Sequence, residues 1–280
     1  MKVVRYYMQA VKMVIAREMM YRINFFIRMI TLFCFELMGP LITTLIYMSS
    51  KGIPGWSLYE ILLLQSVFMF INSIERMFFQ RTDWGLSMYV RSGNLDRFLL
   101  YPIDTLTLIS ANNFTPEQIF TNILSIVLFI YSLIQLNITL TWMMALKFFI
   151  LFIFALVFIY SMAMLRFSII IRVVVMNRLG ELFRAIKNFA LYPINIYGPI
   201  LSAFFKYILP ISILTNYPTS VILNRSLENI QYVILTIIVF LFNITFYKIF
   251  KFLSKEVRVS NPNFVTSTLS SIRTPALLGR

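Results

Sequence analysis

Residues 115–136 read TPEQIFTNILSIVLFIYSLIQL and set the class of this protein. Thr115 and Gln118 have the spacing of a helix capping box, and Pro116 occupies the first helical position between them. After Glu117 the stretch carries no charge. A hydrocarbon core about 30 Å thick needs about 20 helical residues, so these residues predict a helix that crosses a membrane.

The composition of the whole chain agrees with a membrane protein. Of its 280 residues, 59% are hydrophobic and 13% are charged, whereas soluble domains have about 45–50% and about 25%. The same composition excludes a disordered or fibrous chain. We therefore expect an all-α, polytopic membrane protein.

The residues that most enzyme sites need are scarce. The chain has no histidine and a single cysteine, Cys34, which excludes imidazole catalysis, His-based zinc or haem sites and an intrachain disulfide. No two acids have the spacing of an acid/base dyad or of an oxygen-ligand metal cage. We therefore assign no catalytic residue and no metal site.

Six segments are long and apolar enough to cross the bilayer. The first contains Gly39-Pro40, which predicts a kink because proline removes a backbone donor. The second follows Ser57, where Glu60 completes a capping box. Four spans are predicted at Ile23–Met48, Leu58–Gln80, Thr115–Leu136 and Ile230–Phe250, and a further one, the fourth along the chain, runs from about Thr141 past Leu165.

The fifth span has two possible positions. Hydropathy alone selects Ile194–Thr215, which puts Lys206 inside the bilayer at a cost of about 3 kcal/mol on insertion scales. Alternatively, the span runs from Gly180 to Gly198, and residues 199–224 form two short re-entrant helices on the outer side. We favour the second position because it places Lys206 near water. It also uses two prolines as breaks between short helices, Pro210 and Pro218.

The predicted organisation is one transmembrane domain over residues 1–260. Residues 1–22 carry apolar and basic stripes at helical spacing, which predicts an amphipathic helix lying at the membrane surface. Residues 261–280 are polar, and we expect them to form a mobile tail.

Positive charge is distributed asymmetrically about these spans. With both termini in the cytoplasm, all but four of the 25 Lys and Arg residues lie on the inner side. The four outer cations are Lys51, Lys147, Lys206 and Arg225. Anionic lipid headgroups therefore account for the net charge of +14 without nucleic acid. We expect a multi-pass protein of a cell membrane, in a bacterium.

The longest polar stretch, residues 81–115, lies between the second and third spans. Connections between helices are usually shorter than about ten residues, so this segment is long enough to hold structure of its own; a solvated loop is the alternative. Several apolar residues fall on one side of a short helix within it: Leu95, Phe98, Leu99 and Leu100. We therefore expect this segment to dock on another protein.

Within this segment, residues 90–102 read VRSGNLDRFLLYP. The stretch resembles the membrane subunits of type 2 ABC exporters, in which arginine is followed by glycine, leucine and aspartate and then by leucine and proline. A second stretch is similar to the fifth span and outer gate helices of that family: Ala190-Leu191-Tyr192-Pro193, Ile196-Tyr197-Gly198-Pro199, Pro210 and Tyr217-Pro218.

The resemblance implies a permease with six spans, paired with a second permease subunit, identical or homologous. It also implies that residues 81–115 form a cytoplasmic coupling segment that docks on a separate ABC ATPase. The implied coupling residues are Arg91, Gly93, Leu95, Asp96, Arg97 and Leu99. The implied outer gate residues are Pro193, Tyr197, Pro199, Pro210 and Pro218.

The chain lacks the GxxxxGK[ST] motif that cradles ATP phosphates. We therefore expect no enzymatic activity and no cofactor in this chain, with ATP and Mg held by the partner ATPase. In this interpretation the three charged coupling residues contact the ATPase, the two leucines fill its groove, and Gly93 permits the turn.

Away from the helix starts, the predicted spans contain two acids, Glu36 in the first span and Glu75, beside Arg76, in the second. An acid at bilayer depth is a functional candidate by default. For Glu36 the alternative is an ion pair or a hydrogen bond to a neighbouring helix, and the sequence leaves both interpretations open. For Glu75 and Arg76, near the cytoplasmic end of their span, we favour a structural pair or snorkelling.

Two other functional classes stay compatible with the sequence, an ion-coupled secondary transporter and a non-catalytic membrane partner protein, and neither needs an ATPase. A membrane-embedded enzyme is disfavoured because histidine is absent. The aromatic and Met-rich spans suit an amphipathic cargo such as a drug, a peptide or a lipid.

Overall fold

The computed structural model describes residues 2–92, 105–173, 177–225 and 229–259, and every regular element in these ranges is helical. The α-helices are α1 (Lys2–Met20), α2 (Arg22–Ser49), α3 (Leu58–Glu75), α4 (Arg81–Arg91), α5 (Thr105–Asn112), α6 (Gln118–Gln135), α7 (Trp142–Val173), α8 (Asn177–Asn188), α9 (Pro199–Ala203), α10 (Asn216–Ile222) and α11 (Asn229–Val259). Two π segments, Arg76–Gln80 and Phe204–Ile208, and three 3-10 turns, Phe189–Leu191, Ile194–Ile196 and Ile211–Ile213, continue or connect them.

Among the described residues, four helices are long and apolar enough to cross a membrane: Arg22–Ser49, Leu58–Tyr89, Gln118–Gln135 and Trp142–Ile170. A fifth candidate results if the bent pair Pro199–Ile208 and Ile211–Ile222 counts as one span. The protein is therefore a multi-pass, all-helical membrane protein, with fewer candidate spans in the described part than the six expected.

The start of the second span is confirmed in detail. The Glu60 backbone N–H donates to Ser57 Oγ over 3.3 Å, and the Ser57 backbone N–H donates to Glu60 Oε2 over 2.8 Å. These two bonds form the predicted capping box. The first span, α2, is an unbroken helix that contains Pro40.

The capping box predicted at Thr115 is wrong. Helix α6 begins at Gln118, and no side chain caps it. The Thr115 backbone N–H instead donates to the Met77 carbonyl over 2.9 Å. Glu117, which lies between Thr115 and Gln118 in the sequence, is 4% exposed and pairs with Arg81. A partly buried ion pair therefore lies at this end of α6, which has no side-chain cap.

The second span continues beyond its predicted end at Gln80. The π segment Arg76–Gln80 joins α3 to α4, and helical backbone reaches Arg91. The predicted coupling segment 81–115 therefore begins as helix and also contains α5. Its residues 93–104 lie outside the described part of the chain.

The fifth span predicted from Gly180 to Gly198 is not one helix. Helix α8 ends at Asn188, and two 3-10 turns follow on either side of Pro193. Tyr192 adopts an extended backbone with φ −126° and ψ 158°, as residues before a proline prefer. Gly198 then turns with φ +33° before α9, a conformation that a side chain would strain.

The two short helical segments that follow form a bent hairpin, residues 199–222. Pro210 lies at the bend of 76° between Pro199–Ile208 and Ile211–Ile222. Pro218 is not a break, contrary to the prediction, because it occupies the first turn of α10. Backbone N–H groups in a first turn have no helical acceptor, so proline is tolerated there.

The core lies along α7. Helix α7 presents a buried stripe at helical spacing: Leu151, Ala155, Phe158, Ile159 and Met162. Helix α11 packs on α7, α3 packs on α6, and helix α10 of the hairpin contacts both α7 and α3. Helix α1 rests on α5 through a narrow face that includes Ala10 and Val14, and it leaves most other apolar side chains exposed.

Candidate functional site

Four charged side chains meet where α3, α4, α7 and α8 approach one another. This ionic cluster consists of Glu75, Asp83, Arg166 and Lys187. The side chains of Glu75 and Arg166 are each 4% exposed and that of Lys187 is 8% exposed. Two acids and two bases leave the cluster without net charge, which a buried site requires.

The two bases of the ionic cluster each bridge several groups. Arg166 donates from Nη1 to Glu75 Oε1 over 3.0 Å and from Nε to Asp83 Oδ1 over 2.9 Å. Lys187 pairs with the other oxygen of Glu75, and its Nζ donates to Asn72 Oδ1 over 3.0 Å. The cluster therefore ties four separate helices to one another.

The π segment explains how two acids of one span reach the same arginine. Glu75 ends α3 and Asp83 lies in the first turn of α4, with Arg76–Gln80 between them. A π turn rotates the chain less per residue than an α turn does. The segment therefore brings Asp83 back toward the side of the span that carries Glu75.

A second ion pair joins the first two spans. The Arg76 guanidinium donates to Glu36, whose side chain is 14% exposed, and the Arg76 side chain is 19% exposed. Nearby, Gln65 Nε2 donates to Thr43 Oγ1 over 2.7 Å. Glu36 is thus in an ion pair, one of its two predicted alternatives. Arg76 does not pair with its neighbour Glu75, which pairs with Arg166 and Lys187.

The N-terminal helix is held by a third set of charges. Arg81 donates to Glu18 Oε1 over 2.7 Å and to Glu117 Oε1 over 2.8 Å, and Arg28 also pairs with Glu18. Burial alone would raise the pKa of Glu18, but hydrogen bonds to Arg81 and Arg28 and their positive charge outweigh burial and lower it. Glu18 is therefore ionised at neutral pH.

A cavity of about 730 Å³ lies between α2, α3, α4 and α8. One wall is a polar stripe on the second span: Gln65, Asn72, Arg76, Gln80 and Asp83. The facing wall is a polar stripe of α8: Glu181, Arg184, Lys187 and Asn188. The side formed by α2 adds Phe35, Gly39 and Pro40 beside Glu36. The cavity is therefore polar on two walls and mostly apolar on the third.

The structure describes one of the six predicted coupling residues. Arg91 ends α4. The other five lie outside the described residues: Gly93, Leu95, Asp96, Arg97 and Leu99.

The predicted gate residues are spread along the hairpin and the turns before it. Pro193, Pro210 and Pro218 are buried, whereas Pro199 is exposed at the start of α9. The Tyr197 hydroxyl donates to the Phe189 carbonyl over 3.0 Å. These residues therefore do not meet in a single cluster of side chains.

Sequence reasoning missed Asp83, Arg166 and Lys187 as cluster members, because it counted the two bases among ordinary inner-side cations. The spacing of polar residues along the second span is the signal that could have found the site. Gln65, Asn72 and Arg76 recur at intervals of seven and four, which places them on one helical face.

Comparison with known proteins assigns the family. A family model described as ABC-2 family transporter protein matches residues 33–257, which contain the ionic cluster, the cavity and the hairpin. No curated protein and no solved structure matches the chain. Members of this family are typically non-enzymatic membrane subunits, and the family implies an ABC ATPase subunit as partner. The chain therefore belongs to the ABC-2 transporter family, as a multi-pass permease subunit.

Proposed function

We propose that the chain is the permease of an ATP-driven exporter. It moves an amphipathic substrate outward by alternating access, and a separate ATPase supplies the energy. The observation that carries this proposal is the family match over residues 33–257, which includes both the coupling segment and the hairpin. A second permease subunit, identical or homologous, completes the transporter.

The second span offers a direct route for the coupling. Helix α4 runs from the ionic cluster at Asp83 to Arg91, the first of the predicted coupling residues, and we call residues 91–99 the docking motif. Movement of residues 91–99 by the ATPase therefore acts on an element that is joined by Arg166 to α7. In this proposal the ionic cluster carries motion from the docking motif into the membrane domain.

Contacts at the two ends of the fifth segment support a broken crossing. At one end, Lys187 pairs with Glu75 of the ionic cluster, near the proposed inner end of the second span. Arg225 donates to Glu60 Oε1 over 2.8 Å and to the Gly55 carbonyl over 3.0 Å, beside the loop that joins the first two spans. We propose that residues 188–225 cross from the inner to the outer side and that α11 returns. Six crossings then place both termini in the cytoplasm.

The test replaces Asp96 and Leu99 together by alanine in a complex of the full chain and its ATPase, reconstituted in vesicles. ATP hydrolysis is expected to continue, whereas ATP-driven efflux of an amphipathic dye falls at least about tenfold. The matched control replaces Asp104 and Leu106, a second Asp and Leu of the same segment, and keeps efflux. Unchanged efflux in a correctly inserted Asp96/Leu99 variant contradicts the coupling role.

A further inference from the structure

The polar cavity opens toward lipid on one side. Phe35 of α2 and Trp84 of α4 line it and are each 67% exposed. Helix α2 has only 11% of its most apolar window buried, so the rest of the described chain leaves this side uncovered. A ligand with an apolar tail therefore has a place for the tail beside Phe35 while its polar part occupies the cavity.

Two buried polar atoms at the cavity wall lack a partner in the described chain. Gln65 is 1% exposed, and its Oε1 accepts no hydrogen bond. The Nε of Arg76 is buried and donates none. A buried acceptor or donor left unpaired costs about 1–3 kcal/mol. Gln65 and Arg76 both line the cavity, so a turn of their side chains toward a ligand that supplies a donor and an acceptor would remove these costs.

The charges beside these atoms define the ligand's charge. Within the ionic cluster, Glu75 and Asp83 already pair with Arg166 and Lys187. The Glu36–Arg76 pair is less buried and spans the cavity wall. An anion bound to Arg76 leaves Glu36 without an ion-pair partner, and a cation bound to Glu36 leaves Arg76 without one. An unpaired charge in a low dielectric has a high free-energy cost. A ligand that carries both charges satisfies both side chains.

We infer that this cavity binds the head of a zwitterionic amphiphile, with its anionic group at Arg76 and its cationic group at Glu36. The inference rests on the proposed transport function and names its substrate class. Glu36 lies near the middle of α2, about 20 Å from either end. The cavity therefore holds a polar head midway across the membrane, where lipid alone cannot solvate it.

Intrinsic tryptophan fluorescence provides the readout. Of the three tryptophans, Trp84 lines the cavity, so the variant Trp56→Phe/Trp142→Phe leaves one reporter. The probes are a brominated alkyl phosphocholine, alkyl phosphate and alkyl trimethylammonium with the same chain, added to the full protein in nanodiscs. A second cavity, between α3, α6 and α7, has no charged lining residue and cannot select among these head groups.

We expect saturable quenching of Trp84 by the phosphocholine at concentrations at least about tenfold lower than by either singly charged probe. The variant Glu36→Gln/Arg76→Gln is expected to reduce this preference to less than about threefold. The matched control Glu60→Gln/Arg225→Gln removes an ion pair at the outer rim and keeps the preference.

Equal affinity of the unaltered chain for the three probes overturns the inference, and so does a preference that survives Glu36→Gln/Arg76→Gln. If that variant does not fold, Gln65→Leu serves instead, with phosphocholine binding expected to weaken about tenfold. Binding is measured without the ATPase. If the head-group preference is found but ATP-driven efflux is not, only the proposed exporter function is contradicted. If efflux is found without the preference, only this inference is contradicted.

Discussion

Glu75 is the acid on which the ionic cluster depends, because both Arg166 and Lys187 pair with it. Glu75→Gln leaves an uncompensated positive charge among side chains that are less than a tenth exposed. Removing one member of a buried ion pair costs about 3–5 kcal/mol. We expect a loss of that size in the free energy of unfolding, measured by detergent-denaturant titration.

Two further variants make this test specific. Glu75→Gln/Lys187→Met removes the unpaired cation as well and is expected to restore at least half of the lost stability. Glu60→Gln breaks a pair with Arg225, whose side chain is 36% exposed, and such pairs contribute about 0–1 kcal/mol. Equal losses in Glu75→Gln and Glu60→Gln would falsify the cluster's role as the main electrostatic tie.

Glu18 gives a prediction about pH. Its pKa in the folded protein is below the ordinary value of about 4.3 because of Arg81 and Arg28. The stabilisation is therefore complete above that ordinary value and is lost as the pH falls through the lowered pKa. We expect the difference in Tm between the native chain and Glu18→Gln to be largest at neutral pH and to close in this acidic range. A difference that is constant from neutral to acidic pH contradicts the assignment.

At the scale of elements, the hairpin is held by buried polar contacts. Asn216 Oδ1 accepts from the Ile194 backbone N–H over 2.9 Å, and Thr215 Oγ1 donates to the Ala190 carbonyl over 2.7 Å. These bonds join α10 to the 3-10 turns that follow α8. Two neighbouring polar side chains, Thr215 and Asn216, thus hold the hairpin against these turns. A hydropathy scale does not report such contacts.

Asn216→Ala is expected to destabilise the protein by about 1–3 kcal/mol, because it leaves the buried Ile194 N–H without an acceptor. Thermal unfolding monitored by circular dichroism measures the change. The control is Ser220→Ala, whose hydroxyl bonds only to a carbonyl of its own helix over 2.6 Å. If both variants have the same Tm as the native chain, the hairpin is positioned by apolar packing alone.

The elements that the sequence predicts well are those decided by local signals. Ser57 and Glu60 form their capping box because both groups lie within one turn of the helix. Thr115 does not cap its helix because its backbone N–H donates to the distant Met77 carbonyl and its hydroxyl donates to the Asn113 carbonyl, and the capping-box spacing does not report such contacts. The α8 end at Asn188 was missed because the chain stays apolar through Pro193 while its backbone stops being helical.

At the scale of the whole molecule, the proposed topology places Ser50 outside and Ser92 inside. Both are exposed, the first after α2 and the second after α4. In a Cys34→Ser background, Ser50→Cys is expected to react with an impermeant thiol reagent in intact cells. Ser92→Cys is expected to react only after permeabilisation. Labelling of Ser92→Cys in intact cells reverses the topology and removes the coupling proposal.

The candidate site could be predicted only in part because its members come from distant segments. Glu36 and Glu75 stand out as acids in apolar spans, and both are in ion pairs. Their partners are separated from them by 40 and 91 positions along the chain. A single sequence contains no record of such pairings, so Arg166 was treated as an ordinary inner-side cation.

The continuous helical path of the second span has a mechanical consequence. From Leu58 through the π segment to Arg91 it is about 50 Å long. Arg166 pairs with Glu75 partway along this span. At the far end, Arg225 pairs with Glu60, and the Arg225 guanidinium lies 4.2 Å from the ring centre of Trp56, just before the span. If the span tilts as a rigid body about its contact with Arg166, a displacement at Arg91 moves Glu60 in the opposite direction and loads its ion pair with Arg225.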